Sequence, residues 1–385
     1  MTLPRQGFVG QARLRIAYSG RALLRSTRSS VLVIVLVTLV FTAVALVAFI
    51  EQASNDLLVE ARAAAARRLR REAYSALEVT LATLEDFRRA NGALHHPAEG
   101  WDDPLGFAGW TPREGCTAEV TFVDESGKFP LARADTAMLV NLFKEWEFAQ
   151  ADAEHLADAL LGWMHRDHVP ATGVSPDYDR GDLPFNPPGR PLRSYSELAA
   201  IDYARDVFYD AQGRPNERWR RFAATFSLFD YGQLNLNAAP PDVLVALGFT
   251  DPAQQQRMAD YLAGSGANAS LGPRWFSSPG DATSVLGSAA LPAEAGAQVR
   301  ALRVNITLRE GRSEFRLTAV VSPVGGASLV PASTPVVSST ALDNTAPAAA
   351  APPARPALQL NYPFTLLEIR ENAEMSPVPS APPAA

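Results

Sequence analysis

An α+β protein is predicted. It has an N-terminal transmembrane helix that continues into a long second stretch of helix, and an antiparallel sheet divided by a large inserted α-helical domain. Three observations lead there. Residues 31–50, VLVIVLVTLVFTAVALVAFI, contain no charge, and residues 51–89 contain neither Gly nor Pro. Runs with a period of two, as in strands, occur at 118–129 and again at 302–323, with a helical pattern over 131–300 between them. Strands on both sides of a helical block are most economically one sheet with an insertion.

The chain has 385 residues, room for two or three domains, and is 47% hydrophobic, enough for substantial cores. Its formal net charge of −6 is a poor basis for binding nucleic acid. Cys116 is the only cysteine, so no internal disulfide can form, and the thiol reads as a small buried apolar group.

Residues 1–29 are a basic leader, with Arg5, Arg13, Arg15, Arg21, Arg25 and Arg28 and no acid. The apolar run that follows is long enough for a hydrocarbon core of about 30 Å, so 30–50 reads as a transmembrane helix. Glu51 and Asp56 lie beyond it. The positive-inside rule puts the leader in the cytoplasm and the bulk of the chain across the membrane. A secretory signal peptide would have a shorter apolar core and a small-residue cleavage site.

Helix continues over 51–93. Leu58, Ala61, Ala65, Leu69, Ala73, Leu77, Leu81 and Leu84 form a stripe that needs a partner, and Gly92 and Pro97 end it. Arg67, Arg68, Arg70 and Arg71 read as a solvated face or as contacts to a neighbouring acidic helix. Residues 94–130 hold the first part of the sheet: Val120 and Phe122 alternate into an Asp-Glu-Ser-Gly turn. Within the insert, Leu156, Leu160, Trp163 and Met164 share one helix stripe, and Ser194 and Glu197 have capping-box spacing. Residues 301–371 hold the remaining strands, with a hairpin at Gly311. They are interrupted by an Ala/Pro/Ser-rich stretch at 325–358 that reads as a disordered linker, and 372–385 reads as a disordered tail.

QLNLNAAPPDVLVALG, at 233–248, is a strand-to-helix corner. Alternation puts Leu234 and Leu236 on one side and Asn235 and Asn237 on the other. Pro240 suits a first helical turn, Asp242 suits the helix dipole, Val243, Leu244 and Leu247 are core, and Gly248 ends the helix. The corner also resembles a DNA-binding helix-hairpin-helix. The segment that follows, FTDPAQQQRMADYL, lacks the expected glycine loop and sets Arg257 against Asp251 and Asp260.

Six stretches, in order, carry a family resemblance: RSSVLVIVLV, VTFVDESGKFPL, ADALLGWMHRD, PLRSYSELAAI, LNLNAAPPDVLVALG, and LTAVV with LLEIRE. Together they resemble the type II secretion minor pseudopilin K, the general secretion pathway protein K family. The resemblance implies a pilin-type helix, a pilin-like sheet and a helical insert, and a non-enzymatic assembly role. That role is at the tip of the periplasmic pseudopilus, a filament that supports export of folded proteins across the outer membrane. It implies the cell inner membrane, with a single pass and a periplasmic bulk. The implied partners are minor pseudopilins I and J, major pseudopilin G, the inner-membrane secretion platform and prepilin peptidase, and no nucleic acid.

The resemblance also implies sites. Peptidase processing falls between Ser29 and Ser30, with Ser29 where the family has Gly. Ile34 stands where major pseudopilins carry a Glu, and its absence suits a subunit with no neighbour above. Calcium, which needs several oxygen ligands, would be held by Asp167, Asp177, Asp179, Asp182 and Asn186. His165 replaces an acid there, so His165, Asp167 and His168 also read as a transition-metal site or as surface residues. Two rival functions are a membrane-anchored DNA receptor for uptake and a membrane-anchored hydrolase. No G-x-S-x-G or H-E-x-x-H supports the latter.

Overall fold

A computed structural model describes residues 27–173, 178, 185–287, 291–329 and 363–372. The chain divides into two compact units, Met1–Ala65 and Ala66–Ala385.

In the first unit the described residues are helical, part of α1 (Thr27–Asn91). Large apolar side chains from Val31 to Ile50 are exposed all round the helix. With a mean hydropathy of 3.1, this is the one described helix long and apolar enough to cross a membrane. Thr38 and Thr42 do not break it. The Thr38 hydroxyl donates to the carbonyls of Ile34 and Val35, and that of Thr42 to Leu39. Bonds back to the helix's own backbone satisfy hydroxyls that hydrocarbon could not. Leu58 and Ala61 of the apolar stripe are exposed in this unit.

In the second unit the stripe is buried. Leu69, Ala73, Leu77, Leu81 and Leu84 pack with one face of a four-stranded sheet. Its strands are β1 (Cys116–Asp124), β2 (Leu302–Glu310), β3 (Ser313–Pro323) and β4 (Phe364–Glu371), paired in that order and all antiparallel. Alternation decides the faces: Val304, Ile306 and Leu308 of β2, and Phe315, Leu317, Ala319 and Val321 of β3, all enter the helix-side core. Gly311, at φ +58°, begins the two-residue turn between β2 and β3, the position a type II′ turn gives to glycine. Cys116 is buried at the start of β1.

The insert leaves the sheet after Asp124 and returns at Leu302, and these two residues are directly paired. Its ends are therefore neighbours, and a large domain can sit there without disturbing the strands. The boundary differs from the sequence reading, because Glu125–Gly127 is a 3-10 turn and Phe129–Pro130 pairs with Phe226–Ser227 inside the insert. The insert's own core is built on helices such as Thr136–Glu145, Gln150–Met164 and Glu217–Thr225.

Three further readings need correction. Ala327–Leu329, placed in the linker, form a strand against Phe229–Tyr231 of the insert. Strand pairing needs backbone groups rather than large side chains, so a composition argument missed it. The rest of that stretch, from 330, lies outside the described residues. Asn372, placed in the tail, extends the pairing of β4: its N–H donates to Arg316 O, and its side-chain oxygen accepts from Arg316 N. Ser194 caps a six-residue 3-10 helix, whereas the reciprocal capping box is Ser278 with Asp281.

Candidate functional site

The hinge between sheet and insert is a buried polar knot. Asp124, the last residue of β1, accepts hydrogen bonds from Ser126 N (2.8 Å) and Ser126 Oγ (2.5 Å) on one oxygen, and from Asn235 Nδ2 (2.7 Å) on the other. Ser126 Oγ in turn accepts from Arg300 N, and Ser126 N donates to Ala301 O, so both strands of the hinge are stitched together. Burial pushes the Asp124 carboxyl up to about 6.

Glu125 is fully buried. Arg303 Nε donates to its Oε1 at 2.6 Å, and Lys128 Nζ lies 3.0 Å from its Oε2. Burial opposes the Glu125 charge, but Lys128 and Arg303 outweigh it and hold its carboxyl below the usual range. Arg303 also reaches Glu368 of β4 at 3.7 Å, so the charge network joins the hinge to the last strand. The Tyr231 hydroxyl donates to the carbonyls of Glu125 and Lys128 and locks the turn from the insert side. Gly127 has no room for a side chain: a Cβ would lie 2.5 Å from the Ala238 carbonyl oxygen.

The 233–248 corner is the other half of this knot. Leu234 and Leu236 are buried, and so are Asn235 and Asn237 on the other side. Asn235 Nδ2 bridges Asp124 and the His95 carbonyl, while Asn237 donates to Phe276 O and Ala297 O and accepts from Phe276 N. These amides satisfy backbone groups that the core would otherwise strand. Pro241, not Pro240, takes the first helical position of Pro241–Ala246; Pro240 is the N-cap. Asp242 is in the first turn, where Arg221 grips it with two nitrogens at 2.8 Å. Arg257 donates to the Leu286 and Val285 carbonyls, so this cation is committed to a helix end rather than offered to phosphate.

A second knot lies in ADALLGW. Asp158 is buried on the helix Gln150–Met164 and accepts from Thr172 N, Thr172 Oγ1 and Ala171 N, with His168 Nε2 at 3.0 Å. Burial opposes its charge, but the hydrogen bonds of Thr172, Ala171 and His168 outweigh it and lower its carboxyl. His168 is thus a structural residue, not a metal ligand or a surface side chain. His165 and Asp167 are both exposed and do not join it.

Of the calcium residues, Asp177, Asp179 and Asp182 lie outside the described residues. Asn186 is exposed and lines an open cleft with Gly162, Arg166, Pro187 and Gly189. Among the described residues, no three His, Cys, Asp or Glu side chains come together as a metal site. Ser29 and Ser30 have helical backbone within α1, and Ile34 is 59% exposed in the apolar run.

The knots were missed as sites, although their residues stand in the quoted motifs. A D-E-x-G-K run closing an apolar strand, and an acid on an apolar helix stripe, were the available signals.

Residues 122–211 match the family model described as Type II secretion system (T2SS), protein K. Over this segment the chain is similar to the type II secretion system protein K family. The segment begins on β1 and takes in both the Asp124–Lys128 hinge and the Asp158 knot, so the resemblance read from the sequence is borne out. No curated protein matches the chain. One similar solved structure is titled "The Crystal Structure of the GspK-GspI-GspJ complex from enterotoxigenic Escherichia coli Type 2 Secretion System". It is 15% identical, with a TM-score of 0.49, over 69% of this chain and 94% of that one. The protein K segment thus lies in a chain whose N-terminal helix is, by length and composition, apolar enough to cross a membrane.

Proposed function

We propose that the chain is the minor pseudopilin at the tip of a type II secretion pseudopilus, where it supports export of folded proteins across the outer membrane. The observation that carries this reading is the protein K segment lying on the hinge that seats a helical insert on the sheet, in a chain that opens with a membrane-length apolar helix. The anchor sits in the inner membrane with its N-terminus in the cytoplasm, and the sheet and insert stand in the periplasm. The work is assembly. Pseudopilins I and J are its tip partners, pseudopilin G forms the filament below, and the inner-membrane platform drives growth.

Prepilin peptidase cuts between Ser29 and Ser30. Their backbone is helical, so the bond must unwind locally to be cut. Ile34 spares the tip subunit an unpaired carboxylate in the apolar span, a charge worth about 2.5–3.5 kcal/mol on insertion scales. Calcium binds across Asp167, Asp177, Asp179, Asp182 and Asn186; a flat calorimetric titration with calcium chloride would remove it from the reading.

The deciding experiment mixes purified residues 52–385 with soluble pseudopilins I and J. A three-component complex on a sizing column is expected. Elution of this chain alone, with I and J co-eluting without it, would overturn the tip assignment.

A further inference from the structure

The end of α1 carries the chain's one Asn-Gly step, Asn91–Gly92. Asn91 is the last residue of the helix, and both residues are exposed. Other helices close their ends on themselves: Trp146 N donates to Leu142 O, and His165 N to Leu161 O. Here no hydrogen bond among the described residues uses the Gly92 N–H, and none uses the Asn91 side-chain amide. Gly92 has φ +79°, and the place a Cβ would take has no atom within 4 Å. Asn235 and Asn237 are the contrast, since both are buried and both amides are committed to carbonyls.

We propose that Asn91–Gly92 is a site of spontaneous covalent modification, where the Asn91 amide is lost to attack by the next backbone nitrogen. The Gly92 nitrogen gives its proton to hydroxide or a buffer base and attacks Asn91 Cγ. A C–N bond forms and closes a five-membered succinimide. The bond from Cγ to the side-chain nitrogen breaks, and that nitrogen takes up a proton and leaves as ammonia. Water then opens the ring at one of its two carbonyls. Opening at Cγ leaves an aspartate with the ordinary backbone. Opening at the main-chain carbonyl leaves an isoaspartate, whose chain runs through Cγ. The only co-reactant is water, and no electrons are transferred. Glycine suits the step because no Cβ stands beside the attacking nitrogen. The free N–H and the free amide mean that no native bond must break first.

The consequence falls on the join between α1 and the insert. Either product puts a carboxylate at a helix C-terminus, where the helix dipole already disfavours negative charge. The two cations of the last turn, Arg88 and Arg89, are both held by Glu85. Isoaspartate also adds one carbon to the main chain just ahead of Leu94 and His95. Their carbonyls accept from Val299 N and Asn235 Nδ2, each at 2.8 Å, and tie this segment to the insert. This chemistry goes beyond an assembly role and does not depend on which partners the chain has.

The test is mass spectrometry of the full chain in detergent, incubated under native conditions at mildly acidic and mildly alkaline pH and compared with a zero-time sample. Cleavage after Arg89 and Arg113 gives a peptide of residues 90–113 in which Asn91 is the only side-chain amide. That peptide should exchange one NH for one oxygen, faster in alkali, while Asn235 and Asn237 stay intact over the same interval. Gly92→Ala should lose the conversion, because a Cβ then crowds the attacking nitrogen. A synthetic peptide of residues 90–113 in the same buffer keeps the test independent of that variant's folding. If the free peptide converts while Asn91 of the intact chain does not, the fold protects the site and the proposal is overturned. Equal conversion in a folded Gly92→Ala variant would overturn it as well.

Discussion

The two faces of the sheet are held by opposite physics. On one face, Leu69, Leu77, Leu81 and Leu84 of α1 meet Val304, Ile306, Leu308 and Leu317 in an apolar layer with no buried charge among these residues. At the insert end, Glu125, Lys128 and Arg303 are buried together beside the half-buried Asp124 and held by directed bonds. Apolar packing is non-directional and tolerates small shifts. A buried ion cluster accepts one arrangement, and losing a member leaves uncompensated charge. The difference suits the tasks: a helix need only lie on its sheet, whereas an insert joined at two adjacent strand ends must be fixed in orientation.

Breaking the polar side should have the largest effect. Glu125→Ala leaves Lys128 and Arg303 facing each other inside the hinge. A loss of about 3–5 kcal/mol is expected, read as the urea midpoint of residues 52–385. A loss below about 1 kcal/mol would mean that water already reaches this cluster.

On the apolar side, Leu77→Ala should remove about 2–4 kcal/mol. The comparison sharpens with Leu77→Met, which should cost less than about 1.5 kcal/mol because that layer can repack. If the methionine variant melts like the alanine variant, the helix-side core is as exacting as the hinge. Gly127→Ala tests the hinge without touching charge. Its Cβ would meet the Ala238 backbone, so a loss of about 1–3 kcal/mol is expected. Unchanged melting would show that the turn can move away from the corner.

The smallest effect concerns the outer rim of the helix side. Arg70 chelates Glu371 of β4 with Tyr74 assisting, and holds that carboxyl down at about 2. A lowered carboxyl contributes stability that is present above its ordinary value near 4.5 and lost as pH falls through about 2. Arg70→Ala should therefore melt slightly earlier than the unaltered chain at neutral pH, and the gap should narrow below pH 4.5 and in high salt. A gap that ignores salt would show the pair to be better shielded than its exposure suggests.

Much of the architecture was legible from pattern alone. A charge-free run of membrane length, a helix stripe and alternating strands can each be read along the chain, so the sequence determined the apolar helix, its long continuation, the hairpin at Gly311 and the existence of the insert. Local chemistry likewise placed Gly311 in its turn and Val243 and Leu244 in the core. What only the tertiary structure decided was where polar groups go. Asn235 and Asn237 alternate with leucines as an open edge would, yet both are buried because the hinge and the Phe276 and Ala297 carbonyls need donors there. Arg303 pairs with Glu125 178 positions earlier in the chain, and Asp158 sits on an apolar stripe because a later loop folds back over it. Periodicity reports which side of an element faces inward. It carries no information about which distant partner waits on that side, and a buried charge depends on that partner alone.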